Sequence, residues 1–430
     1  MYMKDKILAS AETFFLALFL VALGSAPVLA AFDLEPANGI HKKRKVSIGA
    51  PREATYKQLE KAYKDIGDGN YAEALARLFK LKDRVGSRRF ESAQVSQLIG
   101  HVYSSTDKYP KAIAAYQEAI DANVMPNRVH FDMLFTNAQL YNALEQPAKA
   151  MEMLREWFRW EHEPKVEAYV LGASLYQQQK RNRDAVTALN KAIALQISLG
   201  KEPKESWYRM LAFLHYELED FPAAAKDLQW LVRHYPEKGS YWVQLSQMYV
   251  QLKKDKLGLG TLALAYRQGY LTKGSEWSQL ANMYAFMEVP YASARILQKG
   301  LTKGIIKPKK SKWEQLANTW YAAHELDSAL IAYKKAGEYA KDGKIDMQRA
   351  YILLDLERFT DTVSAVEKAI KKGGLKKPGE AYLVLGMALS ELKKYSAAAD
   401  AFRKSMKFKK TKRSANQWLK HLRQEGYITA

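Results

Sequence analysis

The sequence predicts an all-α solenoid of about ten helix-turn-helix repeats with a C-terminal capping helix. Three observations predict it. A small residue returns at residues 62, 100, 138, 173, 212, 246, 281, 317, 350 and 386. A second small residue follows each at the same offset, at 74, 112, 150, 185, 224, 258, 293, 329, 362 and 398. Proline and turn-forming residues fall between the apolar stretches that carry these positions, where they end helices instead of breaking them.

Taken from its start, the chain opens with Lys4 and Lys6, an apolar stretch from Thr13 to Leu23, a break at Gly24-Ser25, and Val28 and Ala30 before Ala31. That order fits a secretory signal peptide over residues 1–30, removed near Ala31 to leave a periplasmic protein. An uncleaved membrane anchor is the alternative, although the run is short for a spanning helix and Glu12 interrupts it. The chain of 430 residues has a formal net charge of +21 and no cysteine. Disulfides and thiolate chemistry are thereby excluded. Behind an export leader, the basic character argues for solubility, an anionic membrane surface, a cell-wall polymer or an acidic protein partner, and not for nucleic acid. Residues 31–51, which include His41-Lys42-Lys43-Arg44-Lys45, read as a solvated basic linker.

The repeat array occupies residues 52–405. Its grammar follows from helix crossing: two helices joined by a short turn approach closely only where neither carries a bulky side chain. One small residue on each helix marks the contact, and large residues fill the grooves around it. Trp242, Leu245 and Tyr249 line one face of a first helix, and Leu262 and Ala265 line its partner; Trp313, Leu316 and Trp320 face Ala329, Tyr333 and Ala336 in the same way. Turn chemistry sits at Gly67-Asp68-Gly69-Asn70, Thr106-Asp107-Lys108 and Glu219-Asp220, and Pro126, Pro203, Pro236 and Pro308 lie between units. Ser293 and Thr362 are the weakest of the small residues. After Ser405, residues 406–430 form a basic segment and an amphipathic stretch with Trp418 and Leu422; residues 412–424 read as the cap that covers the last apolar face.

These residues resemble the tetratricopeptide repeat, with its order of bulky, Leu, small and aromatic positions on the first helix and small, aromatic or Leu, small on the second. The resemblance implies a right-handed superhelix whose first helices line a concave groove. The positions beside the first small residue would then point into that groove, and they are rich in amides. Three adjacent units present a pair each: Gln244 and Gln247, Gln279 and Asn282, Gln315 and Asn318. An amide carries both donor and acceptor, so a ladder of them suits the backbone of an extended peptide. An Asn ladder in the tetratricopeptide groove of a glycosyltransferase is the similar case. Gln is also simply an uncharged helix former on an exposed face, and the composition does not separate the two readings.

No catalytic constellation stands out, and the chain reads as a non-enzyme without cofactor or metal. Gly258-Leu259-Gly260 lacks the Lys-Ser/Thr of a phosphate loop, and neither His162-Glu163 nor His324-Glu325 is followed by the second histidine of a zinc motif. His215 takes the place of an aromatic on a first helix and reads as a packed core residue. Lysines cluster between units, from Lys303 to Lys312, Lys371 to Lys377 and Lys404 to Lys412, as solvated faces or as peripheral contacts with an anionic membrane surface.

A longer stretch is more specific: Pro236-Glu237, then Tyr241-Trp242-Val243-Gln244-Leu245, then Ala263-Leu264-Ala265-Tyr266-Arg267-Gln268-Gly269-Tyr270-Leu271-Thr272, with Pro290-Tyr291-Ala292 and Ala317-Asn318-Thr319. It resembles the periplasmic tetratricopeptide proteins that accompany TonB–ExbB–ExbD systems of marine gamma-proteobacteria. That resemblance implies an accessory part in energised uptake of iron–siderophore complexes, with the TonB–ExbB–ExbD complex or other envelope proteins as partners. The alternative is a periplasmic adaptor in outer-membrane protein assembly or cell-wall synthesis.

Overall fold

The computed structural model describes residues 32–35, 44–46 and 49–429. The expected signal peptide lies outside the described residues. The chain divides into two compact units, one ending at Lys201 and the other beginning at Glu202. The division falls in the longest interval between small residues, the 39 positions from Ala173 to Ala212, only one longer than the first two intervals.

The first unit holds α1 (Glu53–Gly67), α2 (Tyr71–Val85), α3 (Arg89–Ser105), α4 (Tyr109–Ala122), α5 (Asn127–Ala143), α6 (Pro147–Trp160), α7 (Val166–Gln178) and α8 (Asn182–Ser198). The second holds α9 (Glu205–Glu217), α10 (Phe221–His234), α11 (Gly239–Gln251), α12 (Asp255–Arg267), α13 (Gly274–Phe286), α14 (Pro290–Thr302), α15 (Lys310–Ala322), α16 (Leu326–Glu338), α17 (Lys344–Asp355), α18 (Phe359–Lys372), α19 (Pro378–Glu391), α20 (Tyr395–Met406) and α21 (Lys412–Gln424). Within each unit the helices pack as hairpins, α1 on α2, α3 on α4 and so on, and each hairpin stacks on the next. The fold is an all-α solenoid, and no strand occurs among the described residues.

The small-residue register sits where the hairpins close. Ala62, Gly100, Ala138, Ala173, Ala212, Ser246, Ala281, Ala317, Ala350 and Gly386 are all buried, and so are all ten of their partners on the second helices. At Gly100 a β-carbon would come within 2.8 Å of the Tyr116 ring, and at Gly386 within 2.5 Å of Phe402. Between α11 and α12 the two small residues bond directly, the Ser246 hydroxyl donating to the Gly258 carbonyl over 2.8 Å. Ser293 and Thr362 are as buried as the alanines, at 1% and 0% exposure. The methyl of Thr362 fits because its hydroxyl turns back to donate to the Arg358 carbonyl. At the C-terminus α21 buries Ala415, Leu419 and Leu422 and stacks Trp418 on Phe402, ring centres 5.6 Å apart, which covers the last hairpin.

The turn inside each hairpin shows a second regularity. Each first helix ends in a left-handed residue seven positions after its small residue: Gly69, then Asp107, Glu145, Lys180, Glu219, Lys253, Glu288, His324, Glu357 and Lys393. The next amide returns to the carbonyl five residues back, as Lys254 does to Tyr249, which satisfies one of the helix's free carbonyls. Only the first hairpin uses glycine for this conformation; in the other nine a side chain crowds the backbone. Lys253, exposed and at φ +57°, is therefore expected to yield about 0.5–1 kcal/mol of stability on substitution by Gly. A urea titration of Lys253→Gly with an unchanged or lowered midpoint would contradict this.

Candidate peptide-binding sites

The six amides lie in the second unit on the first helices of three consecutive hairpins, α11, α13 and α15. Gln244, Gln247, Asn282 and Asn318 are exposed, and Gln279 and Gln315 are half-buried. Between α13 and α15 they interlock. The Gln315 side-chain N–H donates to the Asn282 carbonyl oxygen over 2.7 Å. Lys312 Nζ reaches the Gln315 carbonyl oxygen and the Ser278 hydroxyl, each at 3.2 Å. The Tyr333 hydroxyl donates to the Asn318 carbonyl oxygen at 2.5 Å.

This chain of bonds has a fixed direction. An ammonium only donates, so Lys312 takes the oxygen of Gln315 and turns its N–H groups toward Asn282. Asn282 then spends its oxygen on Gln315, and Asn318 spends its own on Tyr333. Each oxygen thus has one of its two lone pairs engaged, and what Asn282 and Asn318 chiefly have left for a ligand is N–H. Burial, and secondarily the charge of Lys309, lowers the Lys312 pKa, so this ammonium is less well solvated than an exposed lysine. The seam is thus a donor surface with a positive centre, suited to carbonyl and carboxylate oxygens. The sequence assigns these amides a symmetric donor–acceptor role, and the hydrogen bonds tilt that balance toward donors between α13 and α15. Lys312 and Tyr333 were missed: Lys312 reads as one more member of an interunit lysine run, and Tyr333 as a packed aromatic.

Other sequence-singled residues fall into packing. His215 is half-buried, with Nδ1 2.6 Å from Asp227 Oδ2, and burial raises the Asp227 pKa despite that partner. Lys372 of the second lysine run pairs with the buried Asp346, and Lys377 pairs with Glu380. No cluster of three or more His, Asp or Glu arranged for a metal occurs among the described residues. Nor is any described helix long and apolar enough to cross a membrane.

The first unit carries a site that the sequence reading did not contain. Of residues 31–51, expected as a solvated linker, Phe32–Glu35 and Arg44 are bound to the helices. Arg44 donates to Asn123 Oδ1, the Met125 carbonyl and Asn127 Oδ1 at 2.7, 2.8 and 3.0 Å, across the turn between α4 and α5. Further back, Phe32-Asp33-Leu34-Glu35 lies on α6, α7 and α8. Leu34 is wholly buried over Gly172, whose absent β-carbon would stand 2.3 Å from Leu34 Cδ1, with Leu154 beside it. Asp33 Oδ2 is 2.6 Å from Arg155 Nε and 3.7 Å from an Arg181 nitrogen, and its other oxygen accepts from the Tyr176 hydroxyl. Both Glu35 oxygens take bonds from Lys191 Nζ at 2.9 and 2.8 Å. The Phe32 ring rests against Tyr176, centres 5.8 Å apart, beneath the same lysine. Burying Leu34 is worth about 2 kcal/mol; the ion pairs, partly exposed, add little at physiological salt.

One clue to this slot was legible. The residue just before the small position is Leu in five units, at Leu211, Leu245, Leu280, Leu316 and Leu385, but it is Gly172 here. Leu34 supplies the missing side chain from the other end of the unit.

Among known families, a profile described as Tetratricopeptide repeat matches residues 209–269 and 347–407. A second of the same description matches residues 93–123. No curated protein matches the sequence. Among solved structures the chain is similar to a tetratricopeptide repeat protein from Parabacteroides merdae, at 14% identity over 62% of this chain and 99% of that one, with a TM-score of 0.37. It is also similar to the C-terminal part of a TPR repeat-containing protein from Cytophaga hutchinsonii, at 13% identity over 66% of this chain and 97% of that one, TM-score 0.37. A third is YrrB, described as a TPR protein with an unusual peptide-binding site, at 13% identity over 46% of this chain and 100% of that one, TM-score 0.34.

Proposed function

We propose that this chain, which carries tetratricopeptide repeats, is an exported scaffold that holds an extended, oxygen-rich segment of a protein partner along α11, α13 and α15. The observation that carries this reading is the directed chain from Lys312 through Gln315 to Asn282. It offers donors to backbone carbonyls and to acidic side chains. Export rests on the charged start, short apolar run and Val28-x-Ala30 of the N-terminus. The accessory role in TonB-type uptake rests on the resemblance of residues 236–319, and its expected partners are the envelope proteins of that machine.

The test is retention of envelope proteins on the immobilised full chain, identified by mass spectrometry. The comparison chains have all six amides replaced by Ala, or the lysines from Lys404 to Lys412 reversed in charge. Each lost hydrogen bond is worth only about 1 kcal/mol net, so a single amide matters little. The six-amide chain is expected to bind its partner several-fold to a few hundred-fold more weakly at unchanged helicity. The lysine chain should change mainly in salt dependence. Full retention by the six-amide chain with loss by the lysine chain would overturn the groove mechanism. Recovery of TonB, ExbB or ExbD supports the uptake role, and recovery of assembly or cell-wall proteins instead refutes it. The same preparation is expected to show a mass starting near Ala31; an intact Met1 in the membrane pellet refutes export as a cleaved periplasmic protein.

A further inference from the structure

We propose that the slot formed by α6, α7 and α8 is a second peptide-binding site, for short segments in which Leu stands between two carboxylates after an aromatic residue. Phe32–Glu35 of the chain itself occupies it until a partner segment of the same chemistry takes its place. The slot lies in the first unit and the amide seam in the second, so either reading can fail without the other.

Three features of the slot point to a ligand site. First, its floor is a glycine in the middle of α7, where glycine weakens a helix and where five other units have leucine. The helix leaves a hole that only a side chain from outside fills. Second, recognition is carried by four consecutive residues, which is the form of a linear motif and not of a packed domain element. Phe32 meets Tyr176, Asp33 meets Arg155 and Arg181, Leu34 fills the hole, and Glu35 meets Lys191. Any segment with that order of side chains makes the same contacts. Third, Leu34 alone among the four is wholly buried, while both carboxylates and two of their cationic partners, Arg155 and Lys191, remain about one-third to one-half exposed. Such an occupant holds its place largely through the high local concentration that its tether provides, and a competing segment can displace it.

The cationic rim also selects the partner. A basic segment would face Arg155, Arg181 and Lys191 at close range, and an aromatic ring at the Leu34 place exceeds the space that Leu34 fills between Gly172 and Leu154.

The experiment uses the full chain and a fluorescent peptide of residues 31–37, read by anisotropy. In the double variant Asp33→Ser with Leu34→Ser the resident segment loses both its anchor and its first carboxylate, so the slot is free. This chain is expected to bind the peptide at least tenfold more tightly than the wild type, and less tightly as salt rises. Adding Arg155→Glu, or Gly172→Leu, which fills the hole from its own floor, should remove that binding. Should the double variant lose helicity, the milder single change Leu34→Ala, which removes the buried anchor and keeps both carboxylates, replaces it with the same expectation. No binding by the released chain would mean that residues 32–35 are a fixed cover, and equal binding by wild type and released chain would place the peptide elsewhere; either result overturns the proposal. Retained binding after Gly172→Leu overturns it as well.

Discussion

Replacing Ala317 by Trp is expected to cost the second unit more than about 3 kcal/mol and to open the hairpin of α15 and α16. Ala317 has no exposed surface, and its counterpart Ala329 on α16 has none either. Leu316, Trp320 and Tyr333 already fill the grooves around this contact. An indole at 317 would have to displace these packed side chains, so the two helices are expected to separate or the ring to turn outward and drag α15 with it. The same ring one residue along is the control. Asn318 is exposed, and Asn318→Trp forfeits chiefly the hydrogen bond from Tyr333, a change of about 1 kcal/mol. Urea titrations by circular dichroism should separate the two variants clearly, and hydrogen exchange should place the damage in α15, α16 and their neighbours. Because stability in a stacked array is summed from local and nearest-neighbour terms, α1–α8 should keep wild-type protection. Equal midpoints for the two Trp variants would show that the small-residue register is misplaced.

That register was legible because it is a repeated local rule. Twenty positions obey it, and the weak ones, Ser293 and Thr362, are buried like the rest because serine and threonine can fold their hydroxyls back onto the helix or leave them at the contact. The capping helix was legible for a related reason: Ala415, Leu419 and Leu422 are spaced for one face of a helix. The left-handed turn residue was not. Its types run from Asp and Glu to Lys and His, so the conformation is imposed by the hairpin and not announced by glycine. The division after Lys201 was not legible either, since Pro203 beside it reads like the prolines between the other units.

The sites divide along the same line. Helix periodicity places Gln244, Gln247, Gln279, Asn282, Gln315 and Asn318 on first helices, but it cannot say which way an amide points. Lys312 decides that, and it does so through contacts to Ser278 and Gln315 that join residues 34 and 3 positions away. The docking of Phe32–Glu35 spans still more of the chain, 143 residues from Asp33 to Tyr176. Composition pointed to a basic linker because charge counting averages over Lys42 to Lys45 and hides the acidic, apolar stretch before them. Gly172 alone carried a local trace of the slot, and it is informative only once the other units show leucine at that place.

Acidification is expected to weaken the first unit through His130, independently of its carboxylates. His130 is buried near the start of α5 at 6% exposure, against the Phe131 ring. Burial first, and the nearby charge of Arg44 second, lowers its pKa from 6.5 to about 4. The unfolded chain therefore takes up a proton at pH values where the folded chain does not. Stability attributable to the neutral ring is intact above about pH 6.5 and is lost as pH falls toward 4, by about 2 kcal/mol at pH 5 and about 3 kcal/mol at the lower end. Carboxylates such as Glu91, held below their usual range by Arg52 and Arg88 in spite of burial, lose their own contribution at lower pH and would confuse a single titration. The measurement is therefore a difference. Wild type and His130→Leu are unfolded in urea at a series of pH values from 7 to 4, with hydrogen exchange reporting on α5. Leucine fills a similar space and carries no proton, so the variant should match or exceed the wild type at pH 7 and its advantage should widen steadily below pH 6.5. Parallel pH profiles for the two chains would show that His130 is protonated in the folded state without penalty, and that the acid sensitivity of this unit lies elsewhere.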